Sequence, residues 1–179
     1  MGLGSGIAGD VSMNTVLSEE DRERYQDPGI IRTILSTAKT IAMVGLSPKS
    51  ERPSHFVASY LKSEGYRVIP VNPKATEILG EKAYPDLQSI SFPIDLVNVF
   101  RQPEECFEIA QDAIRMGAKG LWLQLRVVNV DAARLAYDAG LRVVMDRCVK
   151  IEHGRYGGSL HWVGMNTELI SARRAQRYF

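Results

Sequence analysis

A short turn that combines glycine, serine and positive charge is the strongest candidate for chemistry in this sequence. Gly45 permits a tight turn with a close backbone approach, and a helix predicted to start near Pro53 directs unpaired N–H groups at the same place. The turn therefore predicts a phosphate site, although an ordinary strand-to-helix turn capped by serine would carry the same pattern. The polar residues of this segment are Ser47, Lys49, Ser50, Arg52 and Ser54.

A second polar segment, Asn72-Pro73-Lys74, ends an apolar run and bears on the choice of nucleotide. NAD-binding domains usually place Asp or Glu at the end of the second strand, where it accepts hydrogen bonds from the ribose hydroxyls. No carboxylate occurs here before Glu77, and Lys74 can pair with a phosphate on the ribose. The segment therefore disfavours NAD and leaves NADP or coenzyme A.

Three further polar segments follow apolar runs, namely Phe100-Arg101, Gln124 and Asp146-Arg147-Cys148. A neighbouring cation favours the thiolate, so Cys148 beside Arg147 could exchange disulfides with coenzyme A. The alternative is a buried small residue that closes the end of a strand. The cysteines and histidines have no metal-ligand spacing, and we expect no metal.

Five short apolar runs precede these polar segments and predict the strands that position them. Such runs suit strands that are buried on both faces, and helical stripes separate most of them. The repeated β-α-β rhythm with right-handed crossovers predicts a single α/β domain with a doubly wound parallel sheet of about five strands and helices on both faces. Ligands then collect beyond the carboxyl ends of the strands. The runs are 41–44, 66–71, 94–100, 120–125 and 141–145.

Capping residues and prolines mark the predicted helix starts. They are Ser18, Asp27 with Pro28, Pro53, Pro103 and Asn129. The long connection 72–93 is expected to hold a helical turn at 75–79 and a short helix at 85–90. Residues 149–153 could form a sixth short strand, and Asn166 could cap a last helix that ends at Phe179.

Composition and charge are those of a globular protein without a strong overall field. The 179 residues carry a net charge of +1, so we expect neither nucleic acid nor membrane as a partner. The sequence lacks a signal-peptide pattern and an apolar run of membrane-spanning length, which predicts a cytoplasmic protein. Homo-oligomerisation stays open. We predict a flexible segment 1–17, a folded domain 18–153 and a loop and helix extension 154–179.

Taken together, these segments resemble the small coenzyme A-binding proteins related to the nucleotide-binding domain of the succinyl-CoA synthetase α subunit. The resemblance runs from about Ile30 to His153, and the order and spacing of its motifs are specific. It implies a Rossmann-like fold. The motifs are IAMVGLSPKSERPS (41–54), YRVIPVNPK (66–74), VNVFR (97–101), LWLQL (121–125) and VVMDRCVKIEH (143–153).

The resemblance also implies roles for individual residues at each strand end. Leu46, Ser47 and Pro48 in the turn after Gly45, together with Arg52 and Ser54, would hold a diphosphate. Asn72, Pro73 and Lys74 would face the adenosine, with Lys74 near its 3′-phosphate. Val99, Phe100 and Arg101 would line the ligand, and Gln124 and Cys148 mark the next two strand ends. Family members often have glycine after Leu-Gln-Leu, where this chain has Arg126.

The resemblance implies a stand-alone domain that binds coenzyme A or an acyl-CoA as a carrier, sensor or regulatory module. The catalytic histidine domain and the ATP-grasp partner of the synthetase are not in this sequence, which favours a binding protein over an enzyme. Two alternatives stay open. One is an NADP-dependent oxidoreductase, which would lack the G-x-G-x-x-G fingerprint after Gly45. The other is a coenzyme A-linked thiol–disulfide protein that uses Cys148.

Overall fold

A five-stranded parallel sheet forms the centre of the molecule in the computed structural model, which describes residues 17–156. The strand order is β2-β1-β5-β6-β7, so the chain adds strands on one side of β1 and then on the other. A two-stranded antiparallel hairpin, β3-β4, stands apart from this sheet. The strands are β1 (Thr40–Val44), β2 (Arg67–Val71), β3 (Glu77–Ile78), β4 (Glu81–Lys82), β5 (Leu96–Val99), β6 (Gly120–Leu123) and β7 (Arg142–Val144).

Helices cover both faces of the sheet, as the apolar runs predict. Along β1, Ile41 and Met43 belong to one core cluster, whereas Ala42 and Val44 belong to the other. The first cluster receives side chains from α2, α3 and α6, and the second receives side chains from α1, α4 and α5. The predicted α/β fold is therefore confirmed. The helices are α1 (Glu19–Tyr25), α2 (Pro28–Thr37), α3 (Pro53–Ser63), α4 (Cys106–Arg115), α5 (Val130–Asp138) and α6 (Val149–Tyr156), with a 3₁₀ turn over Pro103–Glu105 before α4.

The predicted helix caps are present where the side chains can reach the first free N–H groups. Ser18 accepts from the Asp21 N–H at the start of α1, and Asp27 accepts from the Ile30 N–H at 2.8 Å. Asn129 accepts from the Ala132 N–H at 2.8 Å at the start of α5. Each bond pairs an N–H group that the helix itself leaves without a partner.

The connection between β2 and β5 contains neither of the two helical segments that were expected at 75–79 and 85–90, so this expectation is wrong. The hairpin β3-β4 occupies the first, because Leu79 and Gly80 both have positive φ (55° and 75°), as a two-residue hairpin turn requires. The Tyr84 N–H donates to the Pro70 carbonyl, and the Asn72 N–H donates to the Tyr84 carbonyl. This pairing with β2 holds the connection extended, and residues 85–90 form turns.

The expected sixth strand at 149–153 is also wrong, because these residues begin α6. Val149 and His153 are four residues apart and both are buried, which is a helical rather than a strand spacing. The Glu152 N–H donates to the Cys148 carbonyl as the first bond of the helix. The helix expected to start at Asn166 lies outside the described residues.

His153 connects α6 to α3 through contacts with Tyr60. Its Nδ1 atom lies 2.9 Å from the Tyr60 hydroxyl, and the ring meets those of Tyr60 and Tyr66 edge-on. Burial lowers the pKa of His153 below its usual value, and the nearby charge of Glu64 opposes this effect. The folded protein therefore holds His153 neutral over a pH range in which the unfolded chain already binds a proton.

We predict that the free energy of unfolding falls as the pH drops below about 6.5, the usual histidine pKa. A histidine whose pKa is lower in the folded state than in the unfolded chain does not change the free energy of unfolding at pH values above its unfolded pKa. Below that pKa it reduces the free energy of unfolding, by at most about 1.4 kcal/mol per pH unit. Urea unfolding between pH 5 and 8 should show this loss, and His153→Gln should flatten it. His55→Gln, on α3, is the control and should leave the slope unchanged.

Candidate ligand-binding cleft

An open cleft of about 900 Å³ lies beyond the carboxyl ends of β1, β2 and β5. β1 sits between the other two strands, so the cleft lies where the strand order reverses. This is the place where parallel α/β sheets bind ligands. Nine of the predicted site residues line it, namely Gly45, Ser47, Arg52, Ser54, Asn72, Pro73, Lys74, Phe100 and Arg101.

The turn after β1 depends on the absence of a side chain at Gly45. Its φ is +85°, and a Cβ atom there would lie 2.6 Å from the Phe100 carbonyl oxygen. The Gly45 N–H donates to the Val71 carbonyl at 3.0 Å. A larger residue would therefore force β1 and β5 apart at the floor of the cleft.

Two serines shape the next part of the turn and the start of α3. The Ser47 N–H donates to the Ser54 hydroxyl at 3.0 Å, and the Lys49 N–H donates to the Ser47 hydroxyl at 3.2 Å. Among the described residues no side chain caps α3, whose N-cap residue is Arg52. The start of this helix faces the cleft, because Arg52, Pro53 and Ser54 all line it. Such a helix start favours an anion.

Asn72 ties the turn after β2 to the turn after β1. Its Nδ2 donates to the Leu46 carbonyl at 2.8 Å, and its Oδ1 accepts from the Lys74 N–H at 2.8 Å. The Lys74 side chain is exposed and has no ion-pair partner in the described part of the chain. The lining of one cleft thus includes a lysine without an ion pair and the uncapped start of α3.

The lining of the cleft also contains acidic residues, which sequence reasoning missed. Glu105, Glu108 and Asp112 recur at a spacing that puts them on one side of the segment around α4, and all three line the cleft. That spacing was visible in the sequence. Asp86 lines the cleft as well, because the pairing of Tyr84 with β2 brings its segment there. The absence of a carboxylate therefore holds for the end of β2 but not for the cleft.

Five predicted site residues do not line the cleft. Leu46 and Val99 are buried in the core, where they support the turns from below. Gln124 is buried too, and its Nε2 donates to the Asn98 Oδ1 at 2.8 Å. Pro48 is exposed beside the turn. Cys148 is the residue before α6 and packs against the cluster under α2, α3 and α6.

Cys148 does not line the cleft, so its position does not support the thiol–disulfide hypothesis. The second cysteine, Cys106, is buried, and burial raises its pKa to about 11. No group of three or more His, Cys, Asp or Glu side chains suited to a metal occurs within residues 17–156. Over the same residues, no helix combines the length and apolar character needed to cross a membrane.

The model of the CoA binding domain family matches residues 39–154. The chain belongs to this family. An uncharacterized protein of Bacillus subtilis, YneT, is 42% identical over 123 residues, which are 69% of this chain and 91% of the relative. A solved structure of a hypothetical protein from Pyrococcus horikoshii superposes with a TM-score of 0.69 and 40% identity, covering 88% of this chain and all of that one (100%).

A larger relative places the same domain inside an enzyme. The acetate–CoA ligase (ADP-forming) II of Archaeoglobus fulgidus is 28% identical over 107 residues, which are 59% of this chain and 16% of the ligase. The CoA binding domain of this chain thus has the Rossmann-like fold of its structural neighbours, and it corresponds to a small part of the ligase.

Arg126, at the position where the resemblance implies glycine, adopts a backbone conformation that favours glycine. Its φ is +67°, in the left-handed region, and its N–H donates to the Asp146 Oδ1 at 2.7 Å. The side chain is exposed, so the strain lies in the backbone rather than in packing.

We predict that Arg126→Gly stabilises the protein by about 0.5–1 kcal/mol. A left-handed residue with a Cβ costs roughly 1–2 kcal/mol, and the extra chain entropy of glycine offsets part of the gain. Arg126→Ala is the matched control, because it removes the side chain and keeps the strain. Chemical unfolding that finds the glycine variant no more stable than the alanine variant would contradict this account.

Proposed function

We propose that the protein binds coenzyme A or an acyl-CoA in this cleft, through its domain 18–153, as a carrier, sensor or regulatory module. The observation that carries the proposal is the pairing of an uncapped helix start with free cations at the turns after β1 and β2. A phosphorylated adenosine presents anionic groups that such a surface can bind. Membership of the CoA binding domain family supports the same ligand.

The diphosphate would lie at the turn after β1. Gly45 lets the ends of β1 and β5 approach closely, and the start of α3 supplies the Ser54 N–H and the Arg52 guanidinium, since the His55 and Phe56 N–H groups already donate to the Arg52 carbonyl. Ser47 and Ser54 hold the turn in shape through their mutual hydrogen bond, and the buried Leu46 supports it from below. The diphosphate would thus meet a backbone N–H group together with the charged Arg52 side chain at a helix start.

The adenosine end of the ligand would lie along the turn after β2. Asn72 keeps that turn fixed against the first, and Lys74 is free to pair with a 3′-phosphate. Phe100 and Arg101 form the adjacent lining at the end of β5. In this arrangement Asp86 lies on the same cleft and can accept a hydrogen bond from a ribose hydroxyl through the oxygen that Ser89 does not use.

Ligase chemistry does not enter the proposal. The Archaeoglobus fulgidus ligase shares 16% of its length with this chain, so the activity in its name is not carried over. The cleft presents groups that bind and orient an anion. Binding without turnover is therefore the proposed role.

We predict that Lys74→Gln weakens coenzyme A binding about tenfold and leaves dephospho-CoA binding unchanged. The physical reason is that the variant removes only the cation assigned to the 3′-phosphate. Isothermal titration calorimetry of both ligands measures the effect, with NAD and NADPH as further ligands. Lys82→Gln, an exposed lysine outside the cleft, is the control. Equal losses for coenzyme A and dephospho-CoA would remove Lys74 from this role.

We also predict that Gly45→Ala abolishes measurable coenzyme A binding, because the added Cβ would meet the Phe100 carbonyl at 2.6 Å. Gly65→Ala is the matched control, since Gly65 also has a positive φ (+94°) but has nothing within 4 Å of the added atom. The two variants share the backbone strain and differ in the clash. A folded Gly45→Ala protein with unchanged affinity would refute the assignment of this turn.

A further inference from the structure

The Arg101 side chain lies across the floor of the cleft, against the turn after β1. A Cβ atom on Gly45 would lie 2.8 Å from the Arg101 Cδ, so the aliphatic part of the arginine rests on the glycine. Arg101 directly follows Phe100, whose carbonyl approaches the same point. The guanidinium is therefore delivered to the turn that would hold the diphosphate.

A carboxylate of the same cleft holds this guanidinium. Glu105 Oε1 accepts from the Arg101 Nη2 at 2.5 Å and from its Nε at 3.2 Å. The other oxygen of Glu105 accepts from the Gln102 N–H at 3.2 Å, which fixes the carboxylate at the start of the 3₁₀ turn. Hydrogen bonding from Arg101 lowers the pKa of Glu105, so the pair is ionic at neutral pH.

The other cations of the cleft differ from Arg101. In the described part of the chain, Lys49, Arg52 and Lys74 take part in no ion pair. Glu108, on the same side of the chain as Glu105, has no ion pair there either. Three cations of the cleft are thus unpaired, whereas the fourth, Arg101, is already paired with a carboxylate of the same cleft.

We propose that Glu105 acts as a competing anion, holding Arg101 in the empty cleft and releasing it to a phosphate group of the ligand. The proposal rests on the proposed function and adds that the Arg101–Glu105 pair sets the affinity of the cleft. Both side chains are partly exposed (46% and 40%), so water already weakens the pair and an exchange of partners is feasible. Arg101 is then a ligand-binding residue, and Glu105 lowers the affinity of the cleft by acting through it.

The alternative to competition is that Glu105 orients Arg101 toward the ligand and stays bonded to it when the ligand binds. Two guanidinium nitrogens bind Glu105, and the remaining N–H groups would then meet the phosphate. The two roles predict opposite signs for the removal of the Glu105 charge. Competition predicts tighter binding of an anionic ligand, and orientation predicts weaker binding.

The test is a double-mutant cycle on coenzyme A affinity, measured by calorimetry. We expect Glu105→Gln to bind about threefold to fivefold more tightly and Arg101→Gln about tenfold more weakly. The double variant should match Arg101→Gln, because the effect of Glu105 passes through Arg101. Glu108→Gln changes the cleft charge by the same amount without releasing a cation, and it should gain less than twofold.

Three outcomes would overturn the competition. The first is weaker coenzyme A binding by Glu105→Gln. The second is a gain in affinity from Glu105→Gln that is as large in the Arg101→Gln background as in the wild type. The third is a gain in affinity from Glu108→Gln as large as that from Glu105→Gln. The ¹⁵N resonance of Arg101 Nε gives a second readout, since it should shift when ligand displaces Glu105. An unshifted resonance at saturating ligand would also refute the exchange.

Inorganic pyrophosphate separates this proposal from the proposed function. It carries the diphosphate charge without an adenosine, so it tests the turn and the pair alone. Binding of pyrophosphate with the expected cycle, but no binding of coenzyme A, would refute the function and retain the competition. Binding of coenzyme A without the expected cycle would retain the function and refute the competition. A protein that binds neither pyrophosphate nor coenzyme A would overturn both proposals.

Discussion

The close contact between the ends of β1 and β5 is the constraint on which the cleft depends. Gly45 brings its backbone against the Phe100 carbonyl, and its N–H pairs with Val71 at the end of β2. Three strand ends therefore converge on one residue that has no side chain. The uncapped start of α3 and the Arg101 side chain are both positioned by this convergence, so one steric condition controls the place where an anion would meet donors.

A core on both faces of the sheet explains why the polar groups gather at that edge. Strands covered by helices on both sides leave polar side chains room mainly beyond the strand ends: the cleft takes them at the carboxyl ends, and Asp95 pairs with Lys119 at the amino ends. The buried Asn98 and Gln124 are exceptions. They bond to each other, while the Asn98 Nδ2 has no partner within residues 17–156. Polar residues on neighbouring strands thus contribute to the sheet interior as well as to the cleft.

Local patterns were sufficient to predict the strands, the capped helices and most residues of the two turns. The apolar character of a run such as 41–44 indicates that it is buried. Asn129 caps α5 by accepting from the N–H of Ala132, which is only three residues further along the chain. The error at 85–90 arose where distant pairing decides the structure, whereas the strand expected at 149–153 and the missed acidic residues around α4 concern local spacings. Tyr84 binds β2 and holds the following residues out of a helix, which also brings Asp86 to the cleft. A sequence read segment by segment contains no signal for that contact.

The charge balance of the cleft changes the argument about its ligand. Four cations, Lys49, Arg52, Lys74 and Arg101, face four acids, Asp86, Glu105, Glu108 and Asp112. Selection against NAD therefore cannot rest on the absence of a carboxylate from the cleft, because Asp86 lines it. In the proposed binding mode it would rest instead on Lys74, whose unpaired charge would gain a partner from a phosphorylated ribose. A balanced cleft of this kind attracts anions weakly from afar and binds them by exchanging partners at short range.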